Sequence, residues 1–396
     1  MKVWIVNPFD NLPQEGTRPQ RYWLMARAWV RRGAEVVYWT ADFSHAHKRP
    51  RAFTAQVNDG FALKLVHEPA YHGNICLGRV WAHWRLARNF LSAARRECLK
   101  PEKSPDLVIV SSPPLTLVAA ARKICRLTGA KLIVDVQDAW PETFYRVLPA
   151  WVLSPLKALA RRNYLAADAI TAVSSRYLEM VREYGATCPT HLCYHGIDGG
   201  TAALWPPSNP MAAFRLVYVG NMSLSYDLAT VIDVVKGMDG VELELAGTGP
   251  NEAALKMRAA DCPRIRFHGY LAERPLREFL DKADAGVVPM FTESCVGIPG
   301  KLADYVAAGL PILNSLAGEA AQLIAEHGAG AYYEAGNADS LRKVLADWAE
   351  SKRTDSVEWS SLRHAVGSLA AVFDASLIYG GYCDFVDRMF RRSNQV

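Results

Sequence analysis

Gly297-Ile298-Pro299-Gly300-Lys301-Leu302-Ala303-Asp304-Tyr305-Val306-Ala307-Ala308-Gly309-Leu310-Pro311-Ile312 is the stretch on which the reading turns. Its glycines and prolines predict a tight turn that runs into a short helix, stops at Gly309 and hands over to a strand. Lys301 falls in the first turn of that helix, where cations are disfavoured by the peptide dipoles. The free N–H groups of a helix start attract anions, and a lysine beside them adds to the attraction. Asp304 follows three residues on, roughly on the same face. It is placed either to accept hydrogen bonds from vicinal hydroxyls such as those of a ribose, or to pair with Lys301. Read the first way, the segment offers both halves of a nucleoside-diphosphate site.

Working outward, the preceding strand-like runs end on glycine in series: Tyr218-Val219-Gly220-Asn221, Leu245-Ala246-Gly247-Thr248-Gly249 and Phe267-His268-Gly269-Tyr270. Gly220 removes a side chain where a ligand could approach, and Asn221 offers an amide. Each strand end alone is an ordinary turn; the series, followed by the Gly297–Lys301 turn, points to a ligand. Glu293 precedes that turn as a loop acid able to meet sugar hydroxyls or positive charge at an anomeric carbon.

Apolar runs separated by helix-period segments fill the chain. The expected strands are Val3–Asn7, Glu35–Thr40, Asp106–Ser112, Lys131–Asp138, Ala169–Ser174 and His191–Gly196 in the first half. Phe214–Gly220, Val241–Gly247, Ile265–Gly269, Ala285–Met290, Pro311–Asn314 and Gly330–Tyr333 follow in the second, with a helix expected over Gln20–Arg32. Short, nearly continuous apolar strands alternating with helices predict parallel sheets covered on both faces. Leu204-Trp-Pro-Pro-Ser-Asn-Pro210 reads as a linker. The fold expectation is α/β, two Rossmann-like domains facing a cleft: residues 1–204 for the acceptor, residues 205–370 for the donor, and an amphipathic segment within Ala370–Arg392 returning to the first as a helix over residues 371–396.

With 396 residues the chain exceeds one ordinary core, which agrees with two domains. A net charge of +5 does not argue for nucleic acid. The cysteines are scattered without CxxC or zinc-type spacing, which reads as reduced thiols in the cytoplasm. The apolar start is a strand, not a signal peptide, and no run is long enough to span a bilayer. The stretch Arg79–Arg96 is basic and tryptophan-rich. On a helical wheel Val80, Trp84, Ala87 and Leu91 share one side, which suits either a core-packed helix or one lying on an anionic membrane surface.

In the first half, Pro13-Gln14-Glu15-Gly16-Thr17-Arg18 follows the first strand and opens a helix, and Val134-Asp135-Val136-Gln137-Asp138-Ala139-Trp140-Pro141-Glu142 ends another. Asp138 there reads as a helix N-cap or as a carboxylate directed at ligand, and the two are compatible. Together with the second-half motifs, Pro289-Met290 and the Gly297–Pro311 block, nearly the whole chain resembles the retaining glycosyltransferases of the GT-B fold, family four. The bacterial enzymes of surface-polysaccharide assembly are especially similar. The resemblance implies a hexosyl-type transferase that takes a nucleotide-diphosphate sugar as co-substrate, needs no other cofactor and no metal, and acts on a saccharide or lipid-linked acceptor. It implies donor contacts at Gly16, Thr17, Arg18, Gly220, Asn221, Gly247, Gly249, Gly297, Ile298, Pro299, Gly300, Lys301 and Asp304. It also implies catalytic parts for Asp138, Glu293 and Lys301, with Arg21 as a further source of positive charge. Tyr194-His195-Gly196-Ile197-Asp198 stands where relatives carry Asn-Gly-Val/Ile-Asp. Two departures matter. Relatives carry two glutamates eight residues apart, whereas this chain has Val296 and Asp304, and Asn221 to Asp233 lacks the usual basic pair. A nucleotide-sugar 2-epimerase of the same fold and a non-catalytic partner protein with a degenerate donor site are the alternative readings.

Overall fold

The structure is a computed structural model that describes residues 1–52, 59–73, 76–145, 148–198, 209–291 and 294–393. The chain forms two compact units, Met1–Gly196 with Ile378–Val396, and Ile197–Leu377. Each is a Rossmann-like α/β unit.

The first unit runs β1 (Lys2–Val6), α1 (Arg21–Arg31), β2 (Glu35–Ala41), a short pair β3 (Phe43–Ser44) and β4 (Arg49–Pro50), then β5 (Ala62–Val66) and α2 (Leu77–Cys98). It continues through β6 (Leu107–Ser112), α3 (Leu115–Thr128), β7 (Lys131–Val136), α4 (Ala150–Tyr164), β8 (Ala169–Ala172), α5 (Ser175–Glu183) and β9 (Thr190–Leu192). Seven strands pair in the order β5-β2-β1-β6-β7-β8-β9, all parallel. β6 shows why: Leu107-Val-Ile-Val-Ser-Ser112 is buried at every position, as expected for a strand with helices on both faces. The expected strands are all present. β5 was not expected from the sequence. It is an edge strand of mixed burial whose Ala62-Leu-Lys-Leu-Val66 lacks a long apolar run.

The second unit runs β10 (Phe214–Val219), α6 (Leu228–Lys236), β11 (Val241–Ala246), α7 (Glu252–Ala259), β12 (Ile265–Gly269), α8 (Glu273–Leu280) and β13 (Ala285–Val288). After these come α9 (Gly300–Ala307), β14 (Ile312–Asn314), α10 (Glu319–Glu326), β15 (Gly330–Tyr332), α11 (Ala338–Arg353) and α12 (Val357–Val372). The strand order β12-β11-β10-β13-β14-β15 is the doubly wound arrangement, whose order reverses between the first and fourth strands. That reversal lies between β10 and β13, so the ends of these two strands are where a ligand crevice is expected. Phe214, Leu216, Val231, Leu243, Leu341, Trp348 and Trp359 belong to the core of this unit.

The amphipathic tail is broken in two. α12 stops at Val372, and α13 (Ala375–Ser393) starts afresh because Asp374 Oδ1 accepts the N–H groups of Ser376 (2.8 Å) and Leu377 (3.0 Å), a side-chain cap that competes with helix continuation. α13 then packs on the first unit: Arg32 donates to Asp384 and Asp387, and His191 stacks on Phe385 at 4.9 Å. Residues 201–208, which hold most of the expected linker, lie outside the described part. All eight cysteines are free thiols.

Candidate functional site

The Gly297–Lys301 turn follows β13, and Pro299 precedes α9 in an extended conformation (φ −68°, ψ 134°). Gly297, Ile298 and Pro299 are buried, whereas Gly300 is exposed and a side chain there would meet open space. The first N–H groups of α9 are the free donors that every helix start leaves.

Lys301 is the centre of the site. Only 7% of it is exposed. Its Nζ donates to the Tyr218 hydroxyl at 3.2 Å and lies over two phenol rings, 4.3 Å from the Tyr218 centroid and 3.4 Å from that of Tyr226. Burial pulls its pKa well below the usual lysine value, with Asp304 opposing the shift. Cation–π contacts of about 2 kcal/mol or more when desolvated stand against the several kcal/mol it costs to desolvate an ammonium, and the lowered pKa shows that burial prevails. The protein therefore holds a cation whose charge it only partly satisfies, and an arriving anion would make up the difference. Asp304, half-buried one turn along α9, acts on Lys301 as a neighbouring charge, while the ammonium itself turns to the tyrosines.

The glycines of the strand ends also serve the packing of the unit itself. Gly220 and Gly247 both have φ near +130°, a conformation L side chains rarely adopt. A Cβ on Gly247 would overlap the Gly220 carbonyl, and one on Gly249 would come within 2.6 Å of Asn221 Oδ1 and of the Met222 backbone. These residues let two β-to-α turns stack directly on each other. Gly220 also borders the lysine, since a Cβ there would lie 3.6 Å from Lys301 Nζ. The Asn221 carbonyl accepts from the Tyr218 hydroxyl at 2.6 Å, which fixes the ring beneath the ammonium.

Tyr305 is a positioning residue the sequence reading did not single out. Its buried hydroxyl accepts from Val219 N–H (2.9 Å) and donates to Val287 C=O (3.1 Å). One side chain thus ties α9 to the ends of both β10 and β13. Its ring occupies the space that a side chain on Gly286 would need. Only the partners, all distant in sequence, reveal this role.

In the first unit, the loop after β1 carries Gly16 in the left-handed region (φ 76°), exposed and with open space around it. The Thr17 hydroxyl donates to Leu12 C=O at 3.1 Å, and buried Arg51 reaches Glu15 and the Asp10 carbonyl. Arg18 is half-buried and its charge acts on His195, whose pKa burial lowers to about 4 with the help of Arg21. Arg21 is a correction. Its guanidinium is bidentate to Asp135 at 2.8 Å for each bond and donates to the carbonyls of Cys193 and Tyr194. It holds the core of this unit together and has no charge to spare for ligand.

Asp138 Oδ1 accepts from Ala139 N–H (2.8 Å) and from the Thr143 hydroxyl (3.3 Å). Burial raises its pKa, and those two hydrogen bonds pull it back. It therefore caps its own turn, and the ligand role remains compatible with that. Glu293 lies outside the described residues. Among the described residues no group of three or more His, Cys, Asp or Glu side chains is placed to hold a metal ion, and no helix is long and apolar enough to cross a membrane. The wheel drawn for Arg79–Arg96 is also corrected. α2 buries Ala82, His83, Leu86, Ala87 and Phe90, and exposes Leu77, Val80, Trp81 and Trp84.

Residues 21–199 match the family described as Glycosyltransferase Family 4, and residues 213–350 match Glycosyl transferases group 1. The chain belongs to these GT-B fold glycosyltransferases. It is similar to the amylovoran biosynthesis glycosyltransferase AmsK of Erwinia amylovora, 26% identical over 151 residues, a match covering 36% of each protein. The chain thus matches about a third of that relative's length. Among solved structures it is similar in fold to sucrose-phosphate synthase from Thermosynechococcus elongatus (TM-score 0.74, 12% identity, 99% of each chain covered). HepE of Anabaena in complex with UDP-glucose is also similar (TM-score 0.68, 14% identity, 98% of this chain and 100% of that one).

Proposed function

We propose that the protein is a retaining, metal-independent hexosyltransferase. It moves a sugar from a nucleoside-diphosphate sugar to a saccharide or lipid-linked acceptor in the assembly of a surface polysaccharide or glycoconjugate. The observation that carries this reading is the buried, incompletely satisfied ammonium of Lys301 beside the start of α9, at the point where the strand order reverses. Relatives support it: one is an amylovoran biosynthesis glycosyltransferase, and a structural neighbour is a lipopolysaccharide outer core galactosyltransferase.

In this reading the bond between the anomeric carbon and the diphosphate oxygen breaks while the acceptor hydroxyl bonds to that carbon on the same face. The acceptor proton passes to the departing phosphate oxygen. Lys301 and the N–H groups of α9 stabilise the charge that develops on the leaving group. Asp138, with Glu293, positions the sugar, and Asp304 meets the ribose. The enzyme works in the cytoplasm at the membrane face. The exposed stripe Leu77, Val80, Trp81 and Trp84 of α2 continues into Arg88 and Arg95. Such a pairing of aromatic and basic residues suits an anionic bilayer surface. Flotation with phosphatidylglycerol vesicles but not with phosphatidylcholine vesicles is the expected result.

Calorimetry with a panel of nucleoside diphosphates tests the central claim. One or more should bind, with Lys301→Ala abolishing the signal. Binding of none would identify a non-catalytic partner. Conversion of a nucleotide-sugar without acceptor into its 2-epimer would identify the epimerase instead.

A further inference from the structure

The ammonium of Lys301 is screened from the solution that would bring it a ligand. A phosphate oxygen must come within about 2.9 Å of an ammonium nitrogen to bond it. Tyr218 covers one side of Nζ and accepts one of its N–H groups at 3.2 Å. The Tyr226 ring covers another, its centroid only 3.4 Å away. On the Gly220 side, even a single added carbon would sit 3.6 Å from Nζ. With 7% of the lysine exposed, no phosphate reaches Nζ while both rings keep their places. Gly300, one residue before it, is exposed and faces open space. The start of α9 is thus open to an anion whose lysine is still covered.

The three tyrosines at this point are fastened differently. Tyr218 is fully buried, and its hydroxyl donates to Asn221 C=O at 2.6 Å. Tyr305 is fully buried, with its hydroxyl bonded to two strand ends. Tyr226 is half-buried, and among the described residues its hydroxyl has no hydrogen-bond partner. Its ring meets that of Tyr218 edge-on, with 5.6 Å between centroids. Its main chain, by contrast, is tethered. The Tyr226 N–H donates to Ser223 C=O at 3.2 Å, and the N–H of Asp227 donates to Pro289 C=O at 2.7 Å. The Asp227 carboxylate then caps α6. The backbone is held while only ring contacts keep the side chain in its rotamer. A diphosphate brings full negative charge where a ring face brings only a quadrupole, so the ammonium favours the exchange.

We propose that Tyr226 is an autoinhibitory residue: in the empty protein its ring occupies the place on Lys301 that the donor diphosphate takes, and it swings off the ammonium when the donor binds. The inference concerns the regulation of the donor site and rests on the transferase reading given above.

The test uses the full chain, titrated by calorimetry with inorganic pyrophosphate, UDP and GDP separately. A closed ring lowers the apparent affinity by the fraction of molecules in which it stands open. Tyr226→Ala should therefore bind pyrophosphate about ten-fold more tightly than the native protein. Tyr226→Leu keeps apolar bulk but has no ring face for the ammonium. It should gain in the same direction, and it decides the matter if circular dichroism shows the Ala variant unfolded. Tyr226→Phe keeps the ring and should stay within about two-fold of the native value. A gain is the diagnostic sign, because damage to the fold or loss of a ligand contact weakens binding. Equal or weaker binding by both the Ala and Leu variants overturns the inference, as does a Phe variant that gains as much as they do. If none of the three probes binds the native protein or any variant, the transferase reading itself fails. Native binding that Lys301→Ala abolishes, with no gain at position 226, leaves that reading standing and strikes the autoinhibitory ring alone.

Discussion

Arg21 and Lys301 are both buried cations, one in each unit, and the fold treats them in opposite ways. Arg21 meets Asp135 in a two-pronged ion pair whose side chains are 1% and 0% exposed. Burial alone would raise the Asp135 carboxyl; Arg21, with hydrogen bonds from Thr171 and Tyr22, instead holds it below the ordinary value. Lys301 meets a hydroxyl and two ring faces, and its own pKa falls. A cation the fold has neutralised is architecture. One left short of counter-charge, on the rim of a strand-order reversal, is the group the proposed reading assigns to the diphosphate.

The contrast can be broken most severely at Asp135. Asp135→Ala strands a buried guanidinium and should cost about 3–5 kcal/mol of stability, read by urea denaturation, with nucleotide binding preserved in the molecules that remain folded. Lys301→Ala should do the reverse. Turnover should drop about 10²–10³-fold, while the melting temperature holds or rises because an unsatisfied charge has been removed. A K301A protein with near-wild-type turnover would refute the phosphate role.

Protonation sharpens the comparison further. In the free protein Lys301 has a depressed pKa, so the unfolded chain binds the extra proton in the window from that pKa up to the ordinary lysine value, and stability rises with pH across it. A bound diphosphate favours the ammonium and lifts the pKa again. Between the free and bound values, nucleotide binding should take up a proton, and affinity should fall as pH increases. Calorimetry in buffers of differing ionisation enthalpy measures that uptake, and none across the alkaline range would contradict the assignment. The smallest effect is expected at Tyr305→Phe, which removes the tie between α9 and the two strand ends. It should cost about 1 kcal/mol and weaken nucleotide binding while leaving the second unit folded.

Much of this was legible in the residues. Glycine-terminated strands and the block from Gly297 to Pro311 gave the architecture and put Lys301 in the first turn of α9. The errors share one physical origin, which is that a local pattern does not name a distant partner. Arg21 looked available because Asp135 stands far along the chain. The contact of Gly247 with the Gly220 carbonyl, a packing demand beside the ligand clearance read at Gly220, was not visible in either motif. Tyr305 looked like one more apolar position of a short helix, since its hydroxyl partners are backbone groups of two other strands. β5 was missed because an edge strand of mixed burial carries little pattern.

The return of α13 onto the first unit has a consequence for biosynthesis. Arg32 and His191 belong to a module most of which precedes the second unit in the chain, yet the carboxylates and the ring they pack against, Asp384, Asp387 and Phe385, follow it. Domains usually fold in the order of their synthesis. Here the amino-terminal half must wait, incompletely covered, until translation of the whole downstream half has finished, and a ribosome that stalls late would leave the earliest-made part of the protein unsealed.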